Sequence, residues 1–303
     1  MITTTLYDGQ GIGNQLWSWA TVKSIAKRNN YKFGIQAPWR FKGKNFLKID
    51  FGEKVFGIAP KLPSPRKPIG IRHYYREKSI YLGDLDVSSY DQRLESVVDK
   101  TKIDGVFQCE RYIYESKEDI ARILEVERPS ILGKGDCIIH IRGGDFKGNS
   151  RVSLPSDYYH NAMKVMLDCD PEMNFILCTN DVKHARDVLG SKSFKIISDY
   201  SDSEIYSGPD GKVDIRVERD FAFLQHARYA IIANSSFSWW GAWTNVNAKL
   251  IIAPKYWANH NNNGPNWSTG GILTRDWIYI DTMGKSFTYP ECFEELGQHG
   301  MII

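Results

Sequence analysis

The chain has 303 residues, 42% of them hydrophobic and 25% charged, with a formal net charge of +3. This length admits two domains with separate cores, and the balance excludes a disordered or fibrous protein. So small a charge gives no ground for a nucleic-acid partner, and Lys42, Lys44 and Lys48 read as a solvated face.

Cysteines 109, 137, 169, 178 and 292 form no closely spaced metal pair, and their odd number argues against a complete disulfide framework. A reducing compartment is expected. The N-terminus has no basic stretch leading into an apolar run, and no apolar stretch reaches about 18 residues. The expectation is a cytoplasmic protein with at most peripheral contact with the inner face of a membrane.

Residues 1–7 alternate weakly, a glycine-rich stretch follows at 8–13, and residues 16–27 show helical spacing through Leu16, Trp19, Ala20 and Lys23. This reads as strand, turn, helix. Residues 61–68 hold Pro63, Pro65 and Pro68 among basic residues and read as a loop. Residues 105–109 look like a strand and 117–126 like a helix, which Arg128-Pro129 stops. Beyond Gly135, short apolar runs at 137–141, 175–178, 194–197, 230–233 and 250–253 alternate with helical stretches at 156–167, 182–189 and 217–226. That rhythm predicts a parallel sheet wrapped by helices, which binds ligands at the carboxyl ends of its strands.

Three segments carry chemistry. In Cys137-Ile138-Ile139-His140-Ile141-Arg142-Gly143-Gly144-Asp145 an apolar strand ends on a cation, two glycines and an acid. Glycines let backbone N–H groups approach an anion, and a guanidinium holds phosphate oxygens by two parallel bonds. The plain alternative is an Arg142–Asp145 ion pair across a turn. In Asn234-Ser235-Ser236-Phe237-Ser238-Trp239-Trp240 a strand passes through hydroxyls into an aromatic helix. Ser235 and Ser236 there suit an anion at a helix N-terminus or serve as helix caps, and the tryptophans read as core.

The third segment, Gln10-Gly11-Ile12-Gly13-Asn14-Gln15, opens a helix but has Asn14 at the third glycine position of a dinucleotide fingerprint and no acidic residue at 29–37. NAD is therefore a poor fit. Gly284-Lys285-Ser286 lacks the upstream glycine of a P-loop.

In this order the three segments resemble the α-1,2-fucosyltransferases of glycosyltransferase family 11, within the α-1,2/α-1,6/protein-O-fucosyltransferase superfamily. Gly105-Val106-Phe107-Gln108-Cys109-Glu110 and Thr179-Asn180-Asp181 also match family segments. Many relatives carry a second arginine where Gly143 stands here.

The resemblance implies an α/β fold of the GT-B type, two Rossmann-like domains facing a cleft. Residues 1–130 would form the acceptor-side domain and residues 131–303 the GDP-sugar-binding domain. It implies inverting transfer of L-fucose from GDP-β-L-fucose, without a metal or other cofactor, to the 2-hydroxyl of a terminal galactoside. The acceptor would be a lipid-linked surface polysaccharide or a related oligosaccharide.

By the same resemblance Arg142 neutralises the diphosphate, with Ser235, Ser236 and Phe237 beside it. His140 and Asp181 would flank guanine, and Asn14 and Gln15 would bind the donor, Asn14 from across the cleft near the sugar and phosphate. Asp145 is the first candidate base, with Glu110 and Asp8 as others. Three alternatives stay open: a transferase for another GDP-sugar, a non-catalytic glycan-binding protein, and a metal-dependent enzyme using Asp84-Leu85-Asp86.

Overall fold

The computed structural model describes residues 1–82, 85–88, 90–190, 195–196, 206–208, 211–213, 215–258 and 270–298. Asp84 and the two ends of the 194–197 run lie outside the described residues. The chain divides into two units: Met1–Leu124 with Ser268–Leu273 and Leu296–Ile303, and Glu125–Trp267 with Thr274–Glu295.

The first unit comprises β1 (Ile2–Thr5), α1 (Ile12–Arg28), β2 (Phe33–Gln36), β3 (His73–Arg76), the hairpin β4 (Ser79–Leu82) and β5 (Leu85–Ser88), α2 (Gln92–Glu95), β6 (Thr101–Asp104) and α3 (Lys117–Ile123). Four strands form a parallel sheet in the order β2-β1-β6-β3. Every residue of β1 is buried, so the alternation read at 1–7 is overridden by the two-sided cover typical of parallel strands. Helix α1 starts at Ile12 rather than Leu16, because the Gln15 N–H already closes a helical bond to the Gly11 carbonyl at 3.1 Å.

The strand expected at 105–109 lies instead at Thr101–Asp104. Beyond it the Glu77 carboxylate accepts the N–H groups of Val106 at 2.7 Å and Phe107 at 2.9 Å, and Phe107 adopts φ +54°. With both amides drawn to a side chain, the backbone leaves the ladder. Helix α3 ends at Ile123, and the Val126 N–H bonds the Gln225 side chain at 2.9 Å instead of continuing the helix.

The second unit holds β7 (Asp136–Ile141), α4 (Ser156–Cys169), β8 (Asn174–Thr179), α5 (Val182–Leu189), β9 (Lys195–Ile196), the hairpin β10 (Tyr206–Gly208) and β11 (Gly211–Val213), α6 (Ile215–His226), β12 (Tyr229–Ile231), α7 (Ser236–Trp243), β13 (Leu250–Pro254), β14 (Ile278–Ile280) and β15 (Ser286–Phe287). Helix α8 (Tyr289–Gln298) follows. The main sheet runs β15-β14-β13-β12-β7-β8-β9, parallel except for the β14–β15 pair. Counting its parallel strands in chain order gives 3-2-1-4-5-6, the Rossmann order, whose direction of winding reverses between β7 and β12. Both units are thus α/β on parallel sheets.

The core of this unit lies between β7, β8, β12 and helix α4, whose Tyr158, Tyr159, Ala162, Met163 and Met166 are buried on one side. The Tyr158 hydroxyl donates to the Ile232 carbonyl at 2.7 Å, pinning α4 to the chain just past β12. Trp239, Trp240 and Trp243 of α7 are fully buried, as core residues should be. A Cβ on Gly241 would lie 2.6 Å from the Leu224 Cβ, so glycine is what lets α7 approach α6.

Candidate functional site

Two of the three sequence segments with chemistry, both in the second unit, converge where the Rossmann order reverses. Strand β7 ends at Ile141 and delivers Arg142, Gly143, Gly144 and Asp145 to the carboxyl edge of the sheet. Its neighbour β8 delivers Asn180 and Asp181, and β12 on the other side leads to Ser235, Ser236 and Phe237. A crevice at this edge is where open α/β sheets take their ligands.

Close packing fixes the turn after β7. The Gly143 N–H donates to Asn180 Oδ1 at 2.8 Å. A Cβ on Gly143 would stand 2.5 Å from the Asp181 Cβ, and Gly144 adopts φ +59° beside the Asn180 amide. Any side chain at 143, arginine included, would have to displace Asp181.

Arg142 is partly exposed, at 32% of its side chain, and its Nη2 donates to Asp145 Oδ1 at 2.7 Å; Asp145 itself is 68% exposed. The ion pair across the turn is therefore present. An exposed pair of this kind is worth at most about 1 kcal/mol, so it is readily exchanged for a stronger anion.

His140 points from β7 into the protein and is 4% exposed. Its Nδ1 is buried with no hydrogen-bond partner among the described residues, and its ring lies 5.9 Å from that of Phe237. Burial, reinforced by the Arg142 charge, lowers its pKa to about 3, so the imidazole is neutral in the physiological range. An orphaned buried polar atom is costly and marks a place where a ligand atom or water belongs.

Helix α7 begins at this same point. Ser235 occupies the N-cap position in extended backbone, but its side chain makes no capping bond. Its carbonyl accepts from the Ser238 hydroxyl at 3.1 Å and the Trp239 N–H at 2.9 Å. The hydroxyl of Ser235 is thus not spent on the helix it precedes, and the positive end of the α7 dipole faces the carboxyl edge of the sheet.

Asp181 caps α5, with Oδ1 accepting the His184 N–H at 2.9 Å. Its other oxygen faces Lys147 Nζ at 3.9 Å. The His184 N–H first, and the Lys147 charge after it, hold the carboxyl below its ordinary pKa despite partial desolvation.

Asn14 and Gln15 belong to the first unit. Asn14 lies in the first turn of α1, where its Oδ1 accepts from Gln108 Nε2 at 2.9 Å, joining two of the segments singled out in the sequence. Gln15 is buried and committed to its own unit: its amide donates to the Arg40 carbonyl at 2.8 Å and accepts the Lys42 N–H at 2.9 Å. Asp8 pairs with Arg40 at 3.0 Å, and Glu110 is buried at the start of a short 3-10 turn.

Sequence reasoning named Asn180, which organises the turn, and Gln108, which holds Asn14, within family-like segments but gave them no role, and it missed Lys147, which faces Asp181. The role of Asn180 could have been found from its place between a buried strand and an Asp helix cap. The other two act through contacts distant in sequence. Among the described residues no three His, Cys, Asp or Glu side chains gather in a metal-holding group.

Comparison with known proteins gives three principal likenesses and a family. The O-antigen biosynthesis glycosyltransferase WbnK of Escherichia coli is 32% identical over 130 residues, a match covering 41% of this chain and only 39% of that protein. The alpha-1,2-colitosyltransferase of Escherichia coli is 23% identical over 269 residues, covering 82% of this chain and 89% of that one. Among solved structures, the fucosyltransferase NodZ from Bradyrhizobium aligns over 84% of this chain and 94% of its own, with 13% identity and a TM-score of 0.43. The model of the family described as Glycosyl transferase family 11 matches residues 97–281, from just before β6 through β14. The match spans more than half of the chain and takes in all three strand ends that build the site: the chain belongs to glycosyl transferase family 11.

Proposed function

We propose that the protein is an inverting, metal-independent α-1,2-fucosyltransferase that moves L-fucose from GDP-β-L-fucose to the 2-hydroxyl of a terminal galactoside. The observation that carries this reading is the convergence of Arg142, neutral His140 and the uncapped start of α7 at the point where the Rossmann order reverses.

In this reading the diphosphate takes Arg142 from Asp145, and the Ser235–Phe237 turn supplies N–H and hydroxyl donors to the same oxygens. As the acceptor oxygen attacks the anomeric carbon, the bond from that carbon to the β-phosphate oxygen breaks and GDP leaves with the electron pair. Arg142 stabilises the charge that develops on the departing oxygen. The acceptor proton passes to a carboxylate, for which Asp145, released from Arg142, is the first candidate. Guanine lies against His140, whose orphaned Nδ1 gains a partner, and the Asp181 carboxylate accepts from guanine N–H groups. Asn14 belongs to the donor-side set, whereas Gln15 acts by holding the turn that carries it. The acceptor is a galactose-containing glycan of a surface polysaccharide or oligosaccharide, and the enzyme works in the cytoplasm.

A second donor sugar is favoured by one observation, the likeness to the alpha-1,2-colitosyltransferase over 82% of the chain. Colitose lacks the 3-hydroxyl of L-fucose, so the two donors differ at a single polar group. The deciding experiment incubates the purified protein and a β-galactoside with GDP-fucose, GDP-colitose, GDP-mannose or UDP-galactose in EDTA, and determines the product linkage by NMR. An α-1,2-fucosyl product supports the proposal. An α-1,2-colitosyl product alone replaces the donor, and turnover that appears only when Mg²⁺ or Mn²⁺ replaces the EDTA removes the metal-independent mechanism.

A further inference from the structure

The proline-rich segment of the first unit displays an unusual surface. Phe56, Ile58, Leu62 and Ile69 are exposed at 64%, 70%, 69% and 76%, whereas most large apolar side chains among the described residues are buried. The Ile69 N–H bonds the Phe56 carbonyl at 2.8 Å, bringing those two residues side by side. From Lys54 to Arg76 the sequence has six basic residues and no acidic one. Lys54, Lys61, Arg66 and Arg72 are exposed and have no carboxylate partner among the described residues.

This surface is held in place from beneath. Lys102, fully buried, donates to the Ser64 carbonyl at 2.7 Å and the Arg66 carbonyl at 3.2 Å, and pairs with the buried Asp104 at 3.0 Å. Asp104 accepts the Ser64 N–H at 3.3 Å, the Arg40 guanidinium donates to the Pro60 carbonyl at 2.6 Å, and the Asp8 N–H donates to the Lys61 carbonyl at 3.0 Å. So anchored, the apolar side chains do not fold back into the unit, and the loop keeps them in water beside uncompensated positive charge.

We infer that residues 54–72 form a docking surface for an anionic phospholipid bilayer, with Phe56 and Ile69 entering the headgroup region and the basic residues pairing with lipid phosphates. Interleaved apolar and basic side chains fit a surface that is itself apolar beneath a negative layer. A nucleic acid would use the cations and leave the four apolar side chains in water.

Co-sedimentation of the full chain with vesicles tests this directly. Vesicles of phosphatidylglycerol and phosphatidylcholine should bind the protein at least about tenfold more tightly than phosphatidylcholine alone, and added salt should weaken the binding. Phe56→Ser with Ile69→Ser should lower the affinity by about tenfold or more, and Arg66→Gln with Lys67→Gln should lower it and flatten the salt dependence. Ile58→Ser with Leu62→Ser is the second apolar pair if the first variant melts below the native protein. Absence of binding to anionic vesicles overturns the inference, as does binding that all three double variants retain. Self-association or capture of an acidic polypeptide that Phe56→Ser with Ile69→Ser abolishes, without vesicle binding, overturns it in favour of a protein partner.

Discussion

Arg142 and Asp145 face each other across one turn, Nη2 to Oδ1 at 2.7 Å, so the proposed diphosphate ligand already holds an anion. The pair is more than a resting contact if the same arginine must bind phosphate, because donor binding then competes with Asp145.

Asp145→Asn should separate the two roles. Without the competing carboxylate, GDP should bind tighter by up to about fivefold, the worth of an exposed ion pair. If Asp145 is also the base, kcat should fall by about a hundredfold or more while donor affinity improves. Calorimetry and initial rates on the same preparation read both; unchanged affinity with full turnover would assign Asp145 to the turn alone.

Gly143 is held to glycine by the Asp181 Cβ, 2.5 Å from where its own Cβ would stand. Gly143→Ala should cost about 1–3 kcal/mol of stability, the price of overpacking a tight contact. Asp181→Gly removes the obstructing carbon, so the double variant should recover part of that loss after allowance for the lost α5 cap. Thermal unfolding of the two single variants and the double one gives the coupling.

His140 ties stability to pH. On unfolding, the imidazole takes up a proton near its ordinary value of 6.5, whereas in the folded protein burial and the Arg142 charge delay protonation to about 3. The unfolded state therefore holds the extra proton between those values, and stability falls as pH drops below 6.5, by up to about 1.4 kcal/mol per pH unit from this one group. Above that pH its contribution is complete. Urea midpoints measured from about pH 7 to about pH 5 should slope more steeply for the native protein than for His140→Gln, and equal slopes would show that His140 does not resist protonation.

Much of the second unit was legible because its strands are continuous apolar runs and its helices carry clear stops. The helix read at 182–189 is α5 to the residue, set by the Asp181 cap and by Gly190 at φ +76°. The strands read at 137–141 and 175–178 are β7 and β8, each within a residue or two. The first unit was harder to read. Strands β2 and β3 have too little apolar periodicity to stand out, and β6 precedes the stretch read as a strand because Glu77, distant in sequence, draws the amides of Val106 and Phe107 away. In the candidate site, residue types pointed to Arg142 and Ser235, and the family resemblance pointed to Asp181. The neutrality of His140 and the steric need for Gly143 depend on neighbours that only folding supplies.

In the proposed reading, the carboxyl edge of the second unit's sheet holds GDP through Arg142. That contact is tested most directly by calorimetric titration of the native protein and Arg142→Ala with GDP and with UDP, in EDTA. GDP should bind the native protein without metal, UDP should not bind, and Arg142→Ala should lose GDP affinity by about a hundredfold. GDP binding that survives intact in Arg142→Ala, or a native protein that binds no GDP at about millimolar concentration, would contradict it.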